Sequence, residues 1–235
     1  MNDLNRLERY YKEKFLIDNY WQDFNCYPFY LSQTQYAVII KILKDFGINS
    51  NIKLFNRNVL DIGAGEGNFL LSLIKLGANI RNITAVELID TRYEKLKEKL
   101  ANANVINQDY LEFKPDRKFD IITIMAVLSS VLDKEIESKI IHKAYSELNV
   151  GGIIIIYDYN KPTSKVKLDN YRPISFESIL SELCIEKDKY RIYSNIYINA
   201  RIGKALCRIG FGYLIPFIQT FKLLNDNYSF LVIKK

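Results

Sequence analysis

The sequence predicts an α/β fold in which a doubly wound, mostly parallel sheet is covered by helices on both faces. From residue 58 onward, short β-branched apolar runs alternate with amphipathic helical segments, which is the pattern of strands buried in a parallel sheet. A glycine-rich turn joins the first of these strands to its helix. With 235 residues, 49% of them hydrophobic, the chain is long enough for one domain with a substantial core.

The first segment, 1–52, is predicted to be helical. Ser32 and Gln35 have the S-x-x-Q spacing of a capping box, in which each side chain satisfies the other's free backbone N–H. An apolar face follows, and Gly47 stands where a helix typically ends. We therefore expect a helix that begins at Ser32 and stops at Gly47.

The second segment, 53–160, contains the alternation of strands and helices. Its predicted strands are Val59–Ile62, Ile83–Glu87, Val105–Ile106, Asp120–Met125 and Ile153–Tyr157. Amphipathic helices fit between them, and Asp133 is placed to cap one. The single histidine, His142, is out of phase with the apolar positions of that helix, so we expect it on the exposed side and not in a site.

The third segment, 161–235, is predicted to complete the same sheet. The runs Tyr190–Asn199 and Tyr228–Ile233 are β-prone, and residues 200–224 between them have a helical pattern. A short helix is expected near Ser175.

Charge is unevenly distributed along the chain. Residues 161–235 hold 13 basic and 6 acidic side chains, whereas the other 160 residues hold 20 and 21. The excess in the last third indicates either an anionic partner or a solvated basic surface.

The three cysteines and one histidine are too few for a zinc cluster or a disulfide framework. Because Cys26, Cys184 and Cys207 are widely separated in sequence, we expect reduced thiols in a cytoplasmic protein. The polar N-terminus is unlike a signal peptide, and no apolar stretch reaches the ~18 residues of a membrane span.

The glycine turn is the most informative motif. Its glycines, Gly63, Gly65 and Gly67, follow a strand and precede a helix, where they allow a tight turn and the close approach of a ligand to the backbone. Glu87 stands twenty residues after Gly67, at the end of the second strand, where a carboxylate can accept both hydroxyls of a ribose.

Two ligand classes use such a turn, dinucleotides and S-adenosylmethionine (SAM). A dinucleotide site requires G-x-G-x-x-G, but Asn68 occupies the last position here, and Glu66 would repel a pyrophosphate. Asp61, just before the turn, suits a ligand with a sulfonium group. These residues favour SAM over NAD.

Through these motifs, residues 58–160 resemble the class I SAM-dependent methyltransferase fold. The resemblance implies a Rossmann-like, seven-stranded sheet with an antiparallel last strand, an N-terminal helical lid over residues 1–52 and a helical insertion before the last strand. SAM is the implied cofactor. The implied cofactor contacts are Asp61, Gly63, Ala64, Gly65, Glu87, Leu88, Asp109, Tyr110, Met125 and, from the lid, Tyr11.

Two stretches, 127–133 and 157–160, and the ending 227–234 also resemble a bacterial subgroup of this family. Asp226 and Asn227 stand where that subgroup usually has Thr-His. Members of the subgroup are often linked with surface polysaccharide biosynthesis, and this resemblance implies the same setting here.

The candidate catalytic residues follow strands four and five, because ligands lie beyond the carboxyl ends of strands in open α/β sheets. They are Asp158, Tyr159, Ser129 and Ser130. Asp158 is the first choice for a general base, since burial would raise its pKa; alternatively, it orients the acceptor or caps a turn. Ser129 and Ser130 either shape the transfer site or cap the following helix.

For the acceptor, we expect O-methylation of a small anionic molecule, such as a sugar nucleotide or a phosphorylated glycan precursor. Strand four lacks the [DN]-P-P-[YF] motif of exocyclic-amine methylation, so no nucleic-acid partner is expected. Three roles are open for residues 200–224. They bind the phosphates of the acceptor, they contact an anionic membrane surface weakly, or they only pack on the sheet. Alternative classes are a peripheral-membrane methyltransferase acting on a lipid-linked or quinone acceptor, and a non-catalytic partner subunit.

Overall fold

The computed structural model describes Arg6, Glu8, Arg9 and residues 26–160, 171–194, 198–221 and 228–235. The helices are α1 (Cys26–Asp45), α2 (Asn51–Phe55), α3 (Asn68–Lys75), α4 (Asp90–Lys99), α5 (Lys134–Glu147), α6 (Phe176–Glu182), α7 (Ala200–Arg208) and α8 (Ile215–Ile218). Short 3₁₀ turns are Ile80–Asn82, Leu128–Ser130 and Gly212–Leu214. The strands are β1 (Val59–Ile62), β2 (Ile83–Glu87), β3 (Asn104–Asn107), β4 (Phe119–Met125), β5 (Leu148–Tyr159), β6 (Tyr190–Ser194) and β7 (Tyr228–Lys234).

The described strands form one seven-stranded sheet in the order β3-β2-β1-β4-β5-β7-β6. Strands β1 to β5 pair in parallel, and β7 lies antiparallel between β5 and β6. The predicted sheet with its antiparallel last strand is therefore confirmed. The strand order changes direction between β1 and β4, and such a switch point opens a crevice at the carboxyl ends of the strands.

Both faces of the sheet are buried. Leu60 and Ile62 of β1 belong to a core with α5 and α6, whereas Val59 belongs to a second core with α1, α3 and α4. All four residues of β1 and all five of β2 are buried. This burial on two sides explains why the strands are continuous apolar runs instead of alternating ones.

The predicted strands agree closely with those observed. The bounds of β1 and β2 are the predicted ones, and β3, β4 and β5 each extend beyond the predicted run. Strand β6 ends at Ser194, earlier than predicted, and residues 195–197 lie outside the described part of the chain.

The predicted helix start at Ser32 is wrong. Helix α1 already includes Cys26, and Ser32 lies exposed inside it. Tertiary packing overrides the local capping signal, because Tyr27 is buried, its hydroxyl donates to the carbonyl of Ile198, and its ring lies against Gly203. The predicted stop is confirmed: Gly47 has φ +84°, the left-handed conformation of a helix C-terminus.

The predicted reduced state is wrong for two of the three cysteines. Cys26 of α1 and Cys207 of α7 form a disulfide across 181 residues of sequence, with their Cα atoms 5.9 Å apart. The packing of α7 on α1 brings them together, which sequence distance alone does not reveal. Cys184 is a free, exposed thiol. Disulfides are rare in reducing compartments. The Cys26–Cys207 disulfide therefore does not support the predicted cytoplasmic location, which stays a prediction.

Three smaller predictions are confirmed, the exposure of His142, the cap at Asp133 and the helix near Ser175. His142 is exposed, with its Nε2 3.1 Å from Oε1 of Glu182. Asp133 caps α5 by accepting from the Glu135 N–H at 2.7 Å, and Ser175 caps α6. Among the described residues, no helix has both the length and the apolar character to cross a bilayer.

Candidate active site

The glycine turn is fixed to the end of β2 by backbone hydrogen bonds. The N–H groups of Gly63 and Ala64 both donate to the carbonyl of Val86, at 2.8 and 3.1 Å. Gly63, Gly65 and Gly67 have φ values of +66°, +60° and +78°, a left-handed region that disfavours any side chain. The turn is thus a rigid backbone surface at the carboxyl edge of the sheet.

Glu87 is oriented by the same turn. Its Oε2 accepts from the N–H of Gly65 at 2.7 Å, and its Oε1 accepts from the N–H of Ile89 at 2.9 Å. The residue is buried. The structure therefore brings together the two halves of the predicted SAM motif, the glycine turn and the ribose acid.

Asp61 is a buried acid at the end of β1. Its Oδ1 accepts from the hydroxyl of Thr123 at 2.6 Å. Burial raises the pKa of Asp61 from 3.8 to about 7, the Thr123 hydrogen bond opposes the rise, and the nearby Glu87 charge adds to it. A cationic ligand beside this carboxyl would favour its ionised form.

The next candidates follow β2 and β3. The side-chain amide of Asn107 donates to the carbonyls of Glu87 and Leu88, at 3.1 and 3.4 Å, which joins the two strand ends. Asp109 is exposed there, and its Oδ1 accepts from the Leu111 N–H at 2.8 Å. The ends of β2 and β3 therefore place Leu88 and Asp109 at one edge of the crevice.

Tyr110 lies in a different environment from its neighbour Asp109. Its ring is buried in the core, and its hydroxyl donates to Oε2 of Glu147 on α5 at 2.7 Å. Burial and the Glu147 carboxylate raise the pKa of this phenol. The hydroxyl of Tyr110 therefore stabilises the packing of α5, and the predicted cofactor contact of this residue stays a prediction.

The turn after β4 lies against the glycine turn. Met125 ends β4 half-buried, and Ala126 follows with φ +56°, an unusual conformation for a non-glycine residue. A Cβ built on Gly63 would lie 2.5 Å from Cγ2 of Val127. Sequence reasoning did not single out Ala126, because its residue type gives no sign of positive φ.

The candidate base Asp158 is fully buried beneath this turn. Its Oδ2 accepts from the backbone N–H of Ser129 at 3.0 Å, and its Oδ1 accepts from its neighbour's N–H, that of Tyr159, at 2.8 Å. Burial raises the pKa of Asp158, and the hydrogen bonds from Ser129 oppose the rise. The structure thus brings Asp158 and Ser129 together, with the carboxylate as a cap for the turn.

Tyr159 and Ser130 are both half-buried. The ring of Tyr159 packs on that of Tyr228 in β7, with centroids 5.5 Å apart, and its carbonyl accepts from the N–H of Ile174 at 2.9 Å. Ser130 ends the 3₁₀ turn, and its N–H donates to the carbonyl of Val127 at 2.9 Å.

Three arginines that the sequence did not single out lie at this edge. Arg172 donates from its backbone N–H to the Ser129 carbonyl at 2.8 Å and pairs with Glu137, a carboxyl whose pKa burial raises. Arg6 donates from its guanidinium to the carbonyl of Ser130 at 2.8 Å. Tyr11, the predicted lid contact, lies outside the described residues.

The third arginine, Arg92, lies over the glycine turn. A Cβ on Gly65 would meet its Nη2 at 2.7 Å. No sequence signal identifies any of the three arginines, because each reaches the site from a distant segment.

Comparison with known protein families and curated proteins matches this chain to methyltransferases. The family model described as "Methyltransferase domain" matches residues 30–194. The ubiquinone/menaquinone biosynthesis C-methyltransferase UbiE of Citrobacter koseri is 29% identical over 164 residues, 65% of this chain. The chain spans only 64% of that relative's length.

Solved structures match over a larger part of the chain. A SAM-dependent methyltransferase from Archaeoglobus fulgidus has a TM-score of 0.55 at 21% identity, covering 91% of this chain and 100% of its own. A second, from Clostridium acetobutylicum, has a TM-score of 0.55 at 16% identity, covering 99% of both chains. These likenesses confirm the predicted Rossmann-like class I fold.

Proposed function

Because the chain belongs to the methyltransferase domain family, we propose that it catalyses SAM-dependent O-methylation of a small anionic molecule. The acceptor class that we propose is a sugar nucleotide or another phosphorylated precursor of a bacterial surface glycan. SAM, when bound, supplies an activated methyl group on a sulfonium centre.

The residues at the carboxyl edge of β1 and β2 fit this cofactor. The glycine turn offers backbone without side chains, and Glu87, fixed by two backbone N–H groups, has further lone pairs for ribose hydroxyls. Asp61 supplies a buried acid that a cation would ionise. Asp109 and Leu88 stand at the neighbouring edge, where the adenine is expected.

The observation that carries the acceptor proposal is the guanidinium of Arg6 at the Ser130 turn. Guanidinium groups bind phosphates by charge-assisted hydrogen bonds, and Arg6 lies within 2.8 Å of the Ser130 carbonyl. This charge supports an anionic acceptor beside the turn after β4.

We assign Asp158 a positioning role. A carboxylate that is fully buried and accepts from the N–H groups of Ser129 and Tyr159 fixes the turn where the acceptor would lie. Methyl transfer is an in-line displacement, so a fixed acceptor orientation supplies much of the acceleration. A second group, or water, would take the hydroxyl proton.

A methyl-transfer assay with labelled SAM and a panel of sugar nucleotides tests the acceptor class. We expect Arg6→Gln to raise KM for a phosphorylated acceptor by about tenfold, the effect of one charge-assisted hydrogen bond. Arg9→Gln is the matched control, because Arg9 is an exposed basic residue of the same segment. Equal effects of the two variants would contradict the role of Arg6.

The panel also includes a demethylquinone, because the similar curated proteins are named as quinone-biosynthesis C-methyltransferases. Turnover of that compound but of no sugar nucleotide would replace the proposed acceptor. SAM binding without turnover of any acceptor would favour the non-catalytic alternative.

The role of Asp158 has its own test. Asp158→Asn leaves one backbone N–H without its acceptor, so we expect lower stability by about 1–3 kcal/mol and a lower kcat. A positioning role predicts that the pH dependence of kcat keeps its shape. Loss of one limb of that profile would identify Asp158 as the base instead.

A further inference from the structure

Residues 209–221 carry an unusual concentration of exposed apolar side chains. Eleven large hydrophobic side chains are strongly exposed among the described residues, and five of them lie within these thirteen positions. Four of these five are aromatic, and we call the group the aromatic surface: Ile209, Phe211, Tyr213, Phe217 and Phe221. Two pairs of these rings are in contact, Phe211 with Tyr213 and Phe217 with Phe221. Exposed apolar groups that lie together mark interaction sites, whereas scattered single residues do not.

The aromatic surface is the outer side of a small, well-anchored unit. On its inner side, Ile198, Ile215 and Tyr27 form a separate buried core. The Cys26–Cys207 disulfide also ties α7 to α1. Because the inner contacts are already made, the exposed rings are left pointing away from the protein, with Phe217 66% and Tyr213 62% exposed.

The sequence that contains this surface is basic. Residues 189–225 contain six basic and no acidic side chains, and Asp45 of α1 pairs with Arg191 among them. Arg201, Lys204 and Arg208 share one side of α7, and Arg208 immediately precedes the aromatic surface. Exposed aromatic rings next to basic residues are the chemistry that binds an anionic lipid surface.

We propose that α7, α8 and the aromatic surface dock the protein on an anionic bilayer. The rings enter the headgroup–acyl boundary, and the arginines of α7 contact lipid phosphates. This inference goes beyond the proposed methyl transfer, because it concerns where the protein works and holds for any acceptor.

Vesicle co-sedimentation of the full chain tests the proposal. We expect binding to vesicles of phosphatidylglycerol and phosphatidylcholine, and much less to phosphatidylcholine alone. Phe217→Ser combined with Phe221→Ser should weaken binding about tenfold, and Arg201→Gln combined with Arg208→Gln about 30-fold. High salt should weaken binding of the wild type as well.

Matched controls separate the surface from general hydrophobicity and charge. Ile52→Ser with Phe55→Ser removes two exposed apolar side chains of α2, and Lys134→Gln with Lys139→Gln removes two exposed charges of α5. Both controls should bind as the wild type does, and a thermal melt confirms that each variant is folded.

Two results would overturn the proposal. The first is equal binding to neutral and anionic vesicles, or no binding to either. The second is self-association in light scattering that the Phe217 and Phe221 substitutions abolish while vesicle binding is unchanged, which would make the surface an interface between two copies.

Discussion

Replacing Asp61 by asparagine tests the electrostatics of the cofactor site. Asp61 is buried and accepts from Thr123, and burial raises its pKa from 3.8 to about 7. Because the pKa is higher in the folded state, folding retains a proton that the unfolded chain releases above pH 3.8. The contribution of this group to stability is therefore complete at low pH and is lost as the pH rises through about 7.

The magnitude follows from the two pKa values. A rise from 3.8 to about 7 corresponds to about 4 kcal/mol at 1.36 kcal/mol per pKa unit. Between about pH 5 and about pH 8, the contribution of Asp61 to the free energy of unfolding falls by about 3 kcal/mol. Asparagine cannot ionise, but its side-chain oxygen can still accept from Thr123, so the variant should lack this pH dependence.

Urea unfolding of the ligand-free protein at these two pH values is the assay. We expect the free energy of unfolding to fall by about 3 kcal/mol more in the wild type than in Asp61→Asn. Asp116→Asn is the control, because the Asp116 side chain is 93% exposed and should leave the wild-type dependence unchanged. Identical pH dependences for the wild type and Asp61→Asn would refute the reasoning.

Two further predictions concern covalent and backbone features. In denaturant without reductant, a thiol assay should detect only Cys184, and reduction should expose Cys26 and Cys207; three reactive thiols before reduction would contradict the disulfide. Gly67→Ala should lower the free energy of unfolding by about 2–4 kcal/mol, because its Cβ would meet a leucine of α4 at 2.7 Å at positive φ. Gly151→Ala is the control, because Gly151 also has positive φ but its Cβ would have no atom within 4 Å. This variant should lose only the part of the free energy of unfolding that comes from backbone conformation.

The central strands were predictable because burial on two faces leaves a signal in the sequence itself. The run Ile83–Glu87 consists of buried β-branched and small residues up to the candidate acid Glu87, so its residue types indicate both the strand and the candidate site at its end. The glycine turn is equally local, since positive φ at Gly63, Gly65 and Gly67 requires glycine.

Features created by contacts between distant segments were not predictable. The capping pattern at Ser32 indicated a helix start, but packing of Tyr27 on Gly203 extends α1 beyond it. Arg6 and Arg172 approach one turn from segments that precede and follow it in the chain, and nothing in their neighbouring residues indicates this.

The glycine turn and Glu87 together form the proposed cofactor site. Calorimetric titration of the full chain with SAM, with its demethylated product and with NAD tests that claim directly. We expect SAM and its product to bind, NAD not to bind, and Glu87→Ala to weaken SAM binding by about 1.5–3 kcal/mol or more, the strength of hydrogen bonds to a charged group. Binding of NAD without SAM, or unchanged SAM affinity in Glu87→Ala, would contradict it.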